Sequence, residues 1–176
     1  GGMAEKWYSN DSADEWTFEI RSGAQWVTNN QEVYGEVTAE DFVTGMQHAA
    51  DSISETISLV KDLIVGLADY MDGKVGWEEV GVKADGNKVI YTLTSPVPYF
   101  DSMTTYAILY PVNKDFLEGQ GDGCKLGAWD ASTCEFGSVD PSKILYNSAY
   151  VLSELTAKSV VKMSYNKYYW DIKNVH

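Results

Sequence analysis

Positive charge, histidine, cysteine and long apolar runs are all scarce in this chain, and each shortage removes a class of function. Thirteen Lys and Arg stand against 26 Asp and Glu, so the 176 residues carry a formal net charge of −13 at pH 7. A field of that sign repels a phosphate backbone, which rewards clustered basic side chains. It equally opposes unaided docking on an anionic membrane. It suits a solvated acidic surface that keeps a protein soluble. No stretch approaches the roughly 18 apolar residues of a membrane-spanning helix. No secretory signal is recognisable, but residues 1–3, Gly1-Gly2-Met3, read as an expression scar, so the missing signal says nothing about compartment.

The catalytic vocabulary is equally thin. G-x-S-x-G, the P-loop, H-E-x-x-H and G-x-G-x-x-G are all absent. The two histidines are His48, in a helical stretch beside Gln47, and the terminal His176. A lone helical histidine reads as a packing residue rather than a base. Asp14-Glu15 and Glu78-Glu79 are neighbours in sequence whose side chains diverge, whereas glycoside hydrolysis needs two carboxylates converging on one bond. Asp69, Asp72 and Gly73 hint at a calcium loop but lack its ligand register. Asn10-Asp11-Ser12 satisfies the glycosylation triplet, which is common by chance. No residue set specifies a cofactor or a metal, and the chain reads as a non-enzyme.

What is present is apolar and aromatic: 44% hydrophobic residues, with six Trp and twelve Tyr, enough for a packed core in about one domain. Trp16–Arg21 alternates apolar and polar side chains and predicts a strand, with a short second one at Trp26-Val27 before an Asn29-Asn30 turn. Thr38 stands as an N-cap with Asp41 three residues on, and Phe42, Val43, Met46 and Ala49 or Ala50 follow at helical spacing, predicting a helix over 38–50. Ile57, Val60, Ile64, Leu67 and Met71 predict a second helix over 54–71, closed by Asp72-Gly73. Asp85-Gly86-Asn87 predicts a hairpin turn between 80–83 and 89–94, and 150–152 with 159–165 predict another. Pro96 and Pro98 stop the sheet, and short helices are expected within 99–110 and 111–117. Helices and strands intermix without regular βαβ alternation, so the class is α+β: small mixed sheets with two main helices.

Cys124 and Cys134 lie in a Gly-, Asp- and Ser-rich segment that reads as a loop. An even count at short separation suits a disulfide if the protein folds outside the cytosol. The spacing matches no zinc pattern.

Eight segments in order resemble the family 5 extracellular solute-binding proteins, the OppA-like receptors of oligopeptide ABC importers, closest to the Gram-positive lipoprotein type. They are Ala4–Trp7, Trp16–Arg21 with Gly23 and Trp26, Val37–Val43, Val80–Ala84, Pro96–Phe100, Pro111–Asn113, Tyr146–Tyr150 and Asn166–Asp171. The resemblance implies a fragment of such a receptor, part of lobe I of a periplasmic-binding-protein-like fold. Residues 4–145 would be the small subdomain of the first lobe, and 146–176 a hairpin and exit segment toward the rest of that lobe. Asn147-Ser148 replaces the usual Asn-Gly, and the cysteine loop is an unusual elaboration. The implied partners are oligopeptides and the ABC permease subunits, at an extracytoplasmic, cell-surface location with a lipid anchor outside this stretch.

By the same resemblance, Tyr106, Leu109 and Tyr110 are expected to line the ligand cleft. They serve equally as packing residues of the chain's own core. Tyr168, Tyr169 and Trp170 read as boundary packing. Dipeptide, pheromone or nickel binding are alternatives within the family. A stand-alone, adhesin-like surface module using the Trp- and Tyr-rich face is the alternative outside it.

Overall fold

The computed structural model describes residues 2–175; Gly1, in the stretch read above as an expression scar, and His176 lie outside the described residues. The strands are β1 (Ala4–Ser9), β2 (Glu15–Ile20), β3 (Gln25–Val27), β4 (Val33–Glu36), β5 (Val82–Asp85), β6 (Lys88–Thr92), β7 (Tyr150–Thr156) and β8 (Val160–Tyr165). The helices are α1 (Ala39–Asp51), α2 (Leu67–Met71), α3 (Phe100–Met103) and α4 (Lys114–Glu118). They fold as two compact units that interleave along the chain. Residues 2–21, 38–112 and 126–129 form the first, and 22–37, 113–125 and 130–175 the second.

The first unit is built on an antiparallel sheet in the order β1-β2-β6-β5. Period-2 alternation sends Trp16, Phe18 and Ile20 of β2 into the core with Val82, Val89 and Tyr91 of the neighbouring strands. Phe100 is fully buried and its ring lies 5.2 Å from Tyr91, 6.4 Å from Phe18 and 6.5 Å from Trp16, an aromatic centre spanning β2, β6 and α3. Helix α1 lays Met46, Ala49 and Ala50 into this core. Its start follows the sequence reading: Thr38 and Asp41 form a reciprocal capping box, with Thr38 N–H donating to the Asp41 carboxylate at 2.8 Å. The turn of Gly86 (φ 59°) and Asn87 joins β5 to β6, with Asp85 opposite Lys88.

The helix expected over 54–71 does not form as one element. Residues 57–59 make a 3-10 turn, and only Leu67–Met71 is α-helical. The reason is tertiary. Val65 N–H donates to the Thr92 carbonyl at 3.0 Å, Val65 C=O accepts from Gly81 N–H at 2.8 Å, and Thr94 N–H donates to Leu63 at 2.8 Å. This β-branched stretch is spliced onto the end of β6, and Gly66 (φ 73°) turns the chain into α2. The apolar stripe is nevertheless buried as its spacing implied, since Ile57, Val60, Ile64 and Leu67 all lie in the core. Gly73, at φ 71°, follows α2 as its closing glycine. Strand β1, which the sequence reading did not identify, pairs along β2.

In the second unit, β3 and β4 pair antiparallel, and Val27 exchanges two backbone hydrogen bonds with Tyr146 at 2.8 and 2.9 Å. Val27, Tyr146 and Val151 form its small core. Strands β7 and β8 make a two-stranded hairpin. Asn166, fully buried, ties the hairpin's base: its amide donates to Ser148 C=O at 2.9 Å and its side-chain oxygen accepts from Tyr168 N–H at 2.9 Å. Asn113 caps α4 by accepting from Phe116 N–H at 3.0 Å. Cys124 and Cys134 are joined by a disulfide.

Two stability predictions arise here. Replacing Phe100 by Ala empties the aromatic centre of the first unit and is expected to cost about 3–5 kcal/mol in urea unfolding. A Cys124→Ser, Cys134→Ser double variant, which opens a ten-residue separation, is expected to lose about 2–3 kcal/mol of loop-closure stabilisation in the same assay.

Candidate functional site

The segment carrying Tyr106, Leu109 and Tyr110 is rooted before it begins. Val97 N–H donates to Ala13 C=O at 2.8 Å, and Val97 C=O accepts from the Trp16 indole at 3.2 Å. Phe100 then drives α3 into the core. Asp101 organises the turn beyond: its carboxylate accepts from Ser102 N–H at 2.8 Å and its carbonyl from the Thr104 hydroxyl at 2.6 Å. A 3-10 turn at Ala107–Leu109 follows, flanked by extended backbone at Tyr106 (ψ 139°) and Tyr110 (ψ 149°).

The three candidate residues divide. Leu109 is 4% exposed and belongs, with Ile108, to the core of the first unit. Tyr106 and Tyr110 are 52% and 54% exposed, and Tyr99, at 62%, is a further exposed tyrosine on the same segment. Tyr110 is positioned by its own hydroxyl, which donates to Thr105 C=O at 3.2 Å.

Helix α1 holds the far end of this segment. Val112 N–H donates to the Asp41 carbonyl at 2.8 Å. The Tyr110 carbonyl lies so close to Gly45 that any Cβ there would overlap it, with Val112 N 3.3 Å from the same point. Gly45 has ordinary helical geometry, so the requirement is space and not backbone conformation. One nine-residue stretch, Val37–Gly45, therefore supplies the helix start, the capping carboxylate, the carbonyl that receives Val112 and the gap that admits Tyr110. The sequence alone does not assign Gly45 this role; a glycine inside an otherwise strong helix pattern is the signal it offers.

The remaining sequence candidates are spread over the fold. Lys74 bonds both Asp69 and Asp72, at 3.0 and 2.8 Å, and pulls the Asp72 carboxyl below its ordinary range. Among the described residues no group of three or more His, Cys, Asp or Glu is placed to hold a metal ion. Asn10 of the glycosylation triplet is engaged locally, donating to Asp14 at 2.7 Å. In the second unit Tyr168 is exposed beside the Lys167 ammonium, while Tyr169 and Trp170 pack on each other at 5.5 Å. A polar cavity of about 370 Å³ lies beside the disulfide, lined by Gln120, Ser132, Thr133 and the Glu135–Lys143 ion pair among others. Among the described residues no helix is long and apolar enough to cross a membrane.

The family model for the bacterial extracellular solute-binding proteins, family 5 (middle region), matches residues 1–176. The chain belongs to this family. The family 5 chain is 43% identical over 175 residues to the oligopeptide-binding protein AliB of Streptococcus pneumoniae, covering 98% of this chain and 25% of AliB. It is 32% identical to the periplasmic oligopeptide-binding protein OppA of Salmonella typhimurium, covering 97% of this chain and 28% of OppA. Among solved structures it superposes on the substrate-binding domain of an oligopeptide ABC transporter from Bacillus anthracis with a TM-score of 0.80 at 27% identity, over 98% of this chain and 30% of that one. The Haemophilus influenzae OppA in complex with RPPGFSPFR gives a TM-score of 0.77 at 28% identity, over 97% and 30%. The chain thus spans about a quarter of the length of the curated relatives it matches. Family 5 proteins are extracytoplasmic solute-binding transport proteins, and the α+β reading with small sheets agrees with the fold of these neighbours.

Replacing Gly45 by Ala tests the coupling between α1 and the tyrosine segment. The added methyl is expected to push Tyr110–Val112 away, costing about 1–3 kcal/mol as overpacking, and to speed hydrogen exchange of the Val112 amide while the α1 interior stays protected.

Proposed function

We propose that this chain forms part of the receptor of an oligopeptide ABC importer, with Tyr106 and Tyr110 as aromatic walls for ligand side chains and Leu109 as the core anchor beneath them. The observation that carries the reading is the combination of exposed tyrosines with a rigid root, in a chain whose named relatives bind oligopeptides. An exposed tyrosine offers a large contact area with few rotatable bonds, so covering it with a peptide side chain costs little conformational entropy. Extended peptides are held chiefly through their backbone, which leaves such walls tolerant of varied side chains. In this reading residues 146–176 lead toward the rest of the first lobe. The whole receptor works outside the cytoplasm, held at the membrane by a lipid anchor beyond this stretch, and hands its peptide to the permease subunits.

The test is native mass spectrometry with peptide titration on a receptor of the relatives' full length that contains this sequence. Peptides of mixed sequence are expected to remain bound to it. The paired change Tyr106→Ala, Tyr110→Ala is expected to weaken peptide binding about tenfold or more, the loss of roughly 1.4 kcal/mol or more of contact. The 176-residue chain alone is expected to bind only weakly. A full-length protein that carries no peptide and takes none up would sink the receptor reading and favour a stand-alone surface module.

A further inference from the structure

The C-terminal end of α1 carries a cluster that the transport reading does not use. Asp51 sits in the last turn, where the helix dipole disfavours a carboxylate. It is held by two charge-assisted bonds instead. One carboxylate oxygen accepts from the Tyr70 hydroxyl of α2 at 2.6 Å, and the other from Gly127 N–H at 2.7 Å. Gln47 donates to the same Tyr70 oxygen at 3.3 Å, and the Trp77 ring meets the Tyr70 ring edge-on at 5.0 Å. Gly127 belongs to Leu126–Trp129, a short piece of the first unit remote in sequence from α1. Its other anchor is Trp129, whose ring stands edge-on to the His48 imidazole at 5.0 Å. The Gly127 and Trp129 contacts thus land on one end of one helix, and one of them is made to a titratable ring.

We propose that Leu126–Trp129 is an acid-released strap on the end of α1, closed while His48 is neutral and opened when His48 takes a proton from solvent. An imidazolium packed against the indole loses hydration, and in this proposal that loss outweighs the ring's attraction for a cation and the pull of the helix C-terminus. Burial holds the His48 imidazole below its ordinary value, and Asp51 on the same helix pulls the other way by the smaller amount. The strap brings no charged or titratable side chain of its own, since it reads Leu-Gly-Ala-Trp. The Tyr70 phenol, pushed up to about 12 by burial and then by its bond to Asp51, stays protonated throughout and keeps donating. The open strap therefore binds the proton more readily than the closed one. Closure is complete above the ordinary histidine range and weakens as pH falls through that range toward the depressed value.

The experiment follows two sites in the 176-residue protein by NMR: protection of the Gly127 amide, corrected for intrinsic exchange, and the titration of His48. Between about pH 7.5 and 5.5, Gly127 protection is expected to fall while that of the β6 amides holds. In His48→Gln it is expected to stay level across the range. In Trp129→Ala the His48 midpoint is expected to rise toward the ordinary value of about 6.5, a readout that does not depend on the strap remaining docked. Gly127 protection that is flat with pH in the unmodified protein, or that falls equally in His48→Gln, overturns the proposal. So does a His48 midpoint unmoved by Trp129→Ala.

Discussion

The Tyr110 carbonyl resting on Gly45 is the contact on which the candidate site depends. A helix surface normally keeps a neighbouring backbone at the distance of one side chain, and here that distance is removed. The approach lets Val112 N–H reach the Asp41 carbonyl in the first turn of α1, so the tyrosine segment is tied to a helix by its backbone. Its other end is tied to the sheet through Val97 and Phe100. Fixed at both ends, the intervening turns have few ways to vary, and Tyr106 and Tyr110 inherit that order without being buried themselves.

The same economy explains why Val37–Gly45 is so recognisable. Thr38 and Asp41 satisfy the exposed N–H groups that every helix start leaves. Asp41 also places negative charge where the helix dipole favours it, while its carbonyl serves the tyrosine segment. Ala39, Met46, Ala49 and Ala50 fill the core face. Losing any of these residue types disturbs either the helix or the segment it supports.

Much of this was readable before the fold was known, and the failures have one cause. The capping box, the Gly86-Asn87 turn, the alternation of Trp16, Phe18 and Ile20 and the closing Gly73 are local signals satisfied by local geometry, so sequence alone located them. The stripe Ile57, Val60, Ile64, Leu67 and Met71 gave the buried face correctly but the wrong backbone. Spacing reports which side chains face inward, and the hydrogen bonds from Thr92 and Gly81 that recruit Val65 come from residues far along the chain. Strand β1 escaped for a related reason: as an edge strand with mostly exposed side chains it shows little alternation. At the site, family likeness pointed to the segment as a whole and could not separate the buried Leu109 from its exposed neighbours. That distinction needs the 3-10 turn, which points Ile108 and Leu109 inward and leaves the flanking tyrosines out.

The division between rigid root and exposed aromatic is also what a receptor for varied ligands requires. Were Tyr106 and Tyr110 buried, a ligand would have to displace core packing to meet them, at a cost comparable to a cavity mutation. Were they exposed on a mobile loop, binding would have to order that loop, and each fixed residue costs about 1–2 kcal/mol of backbone entropy. Here the ordering is already complete in the folded protein, supported by Phe100, Leu109 and the Gly45 contact. A ligand side chain meeting these rings need supply only its own loss of freedom. Such a surface favours aromatic and aliphatic contacts without specifying any one of them, because a tyrosine face makes no demand on hydrogen-bond pattern. In the proposed receptor, selectivity for a peptide as a class would come from backbone recognition, and the tyrosines would add affinity across many sequences.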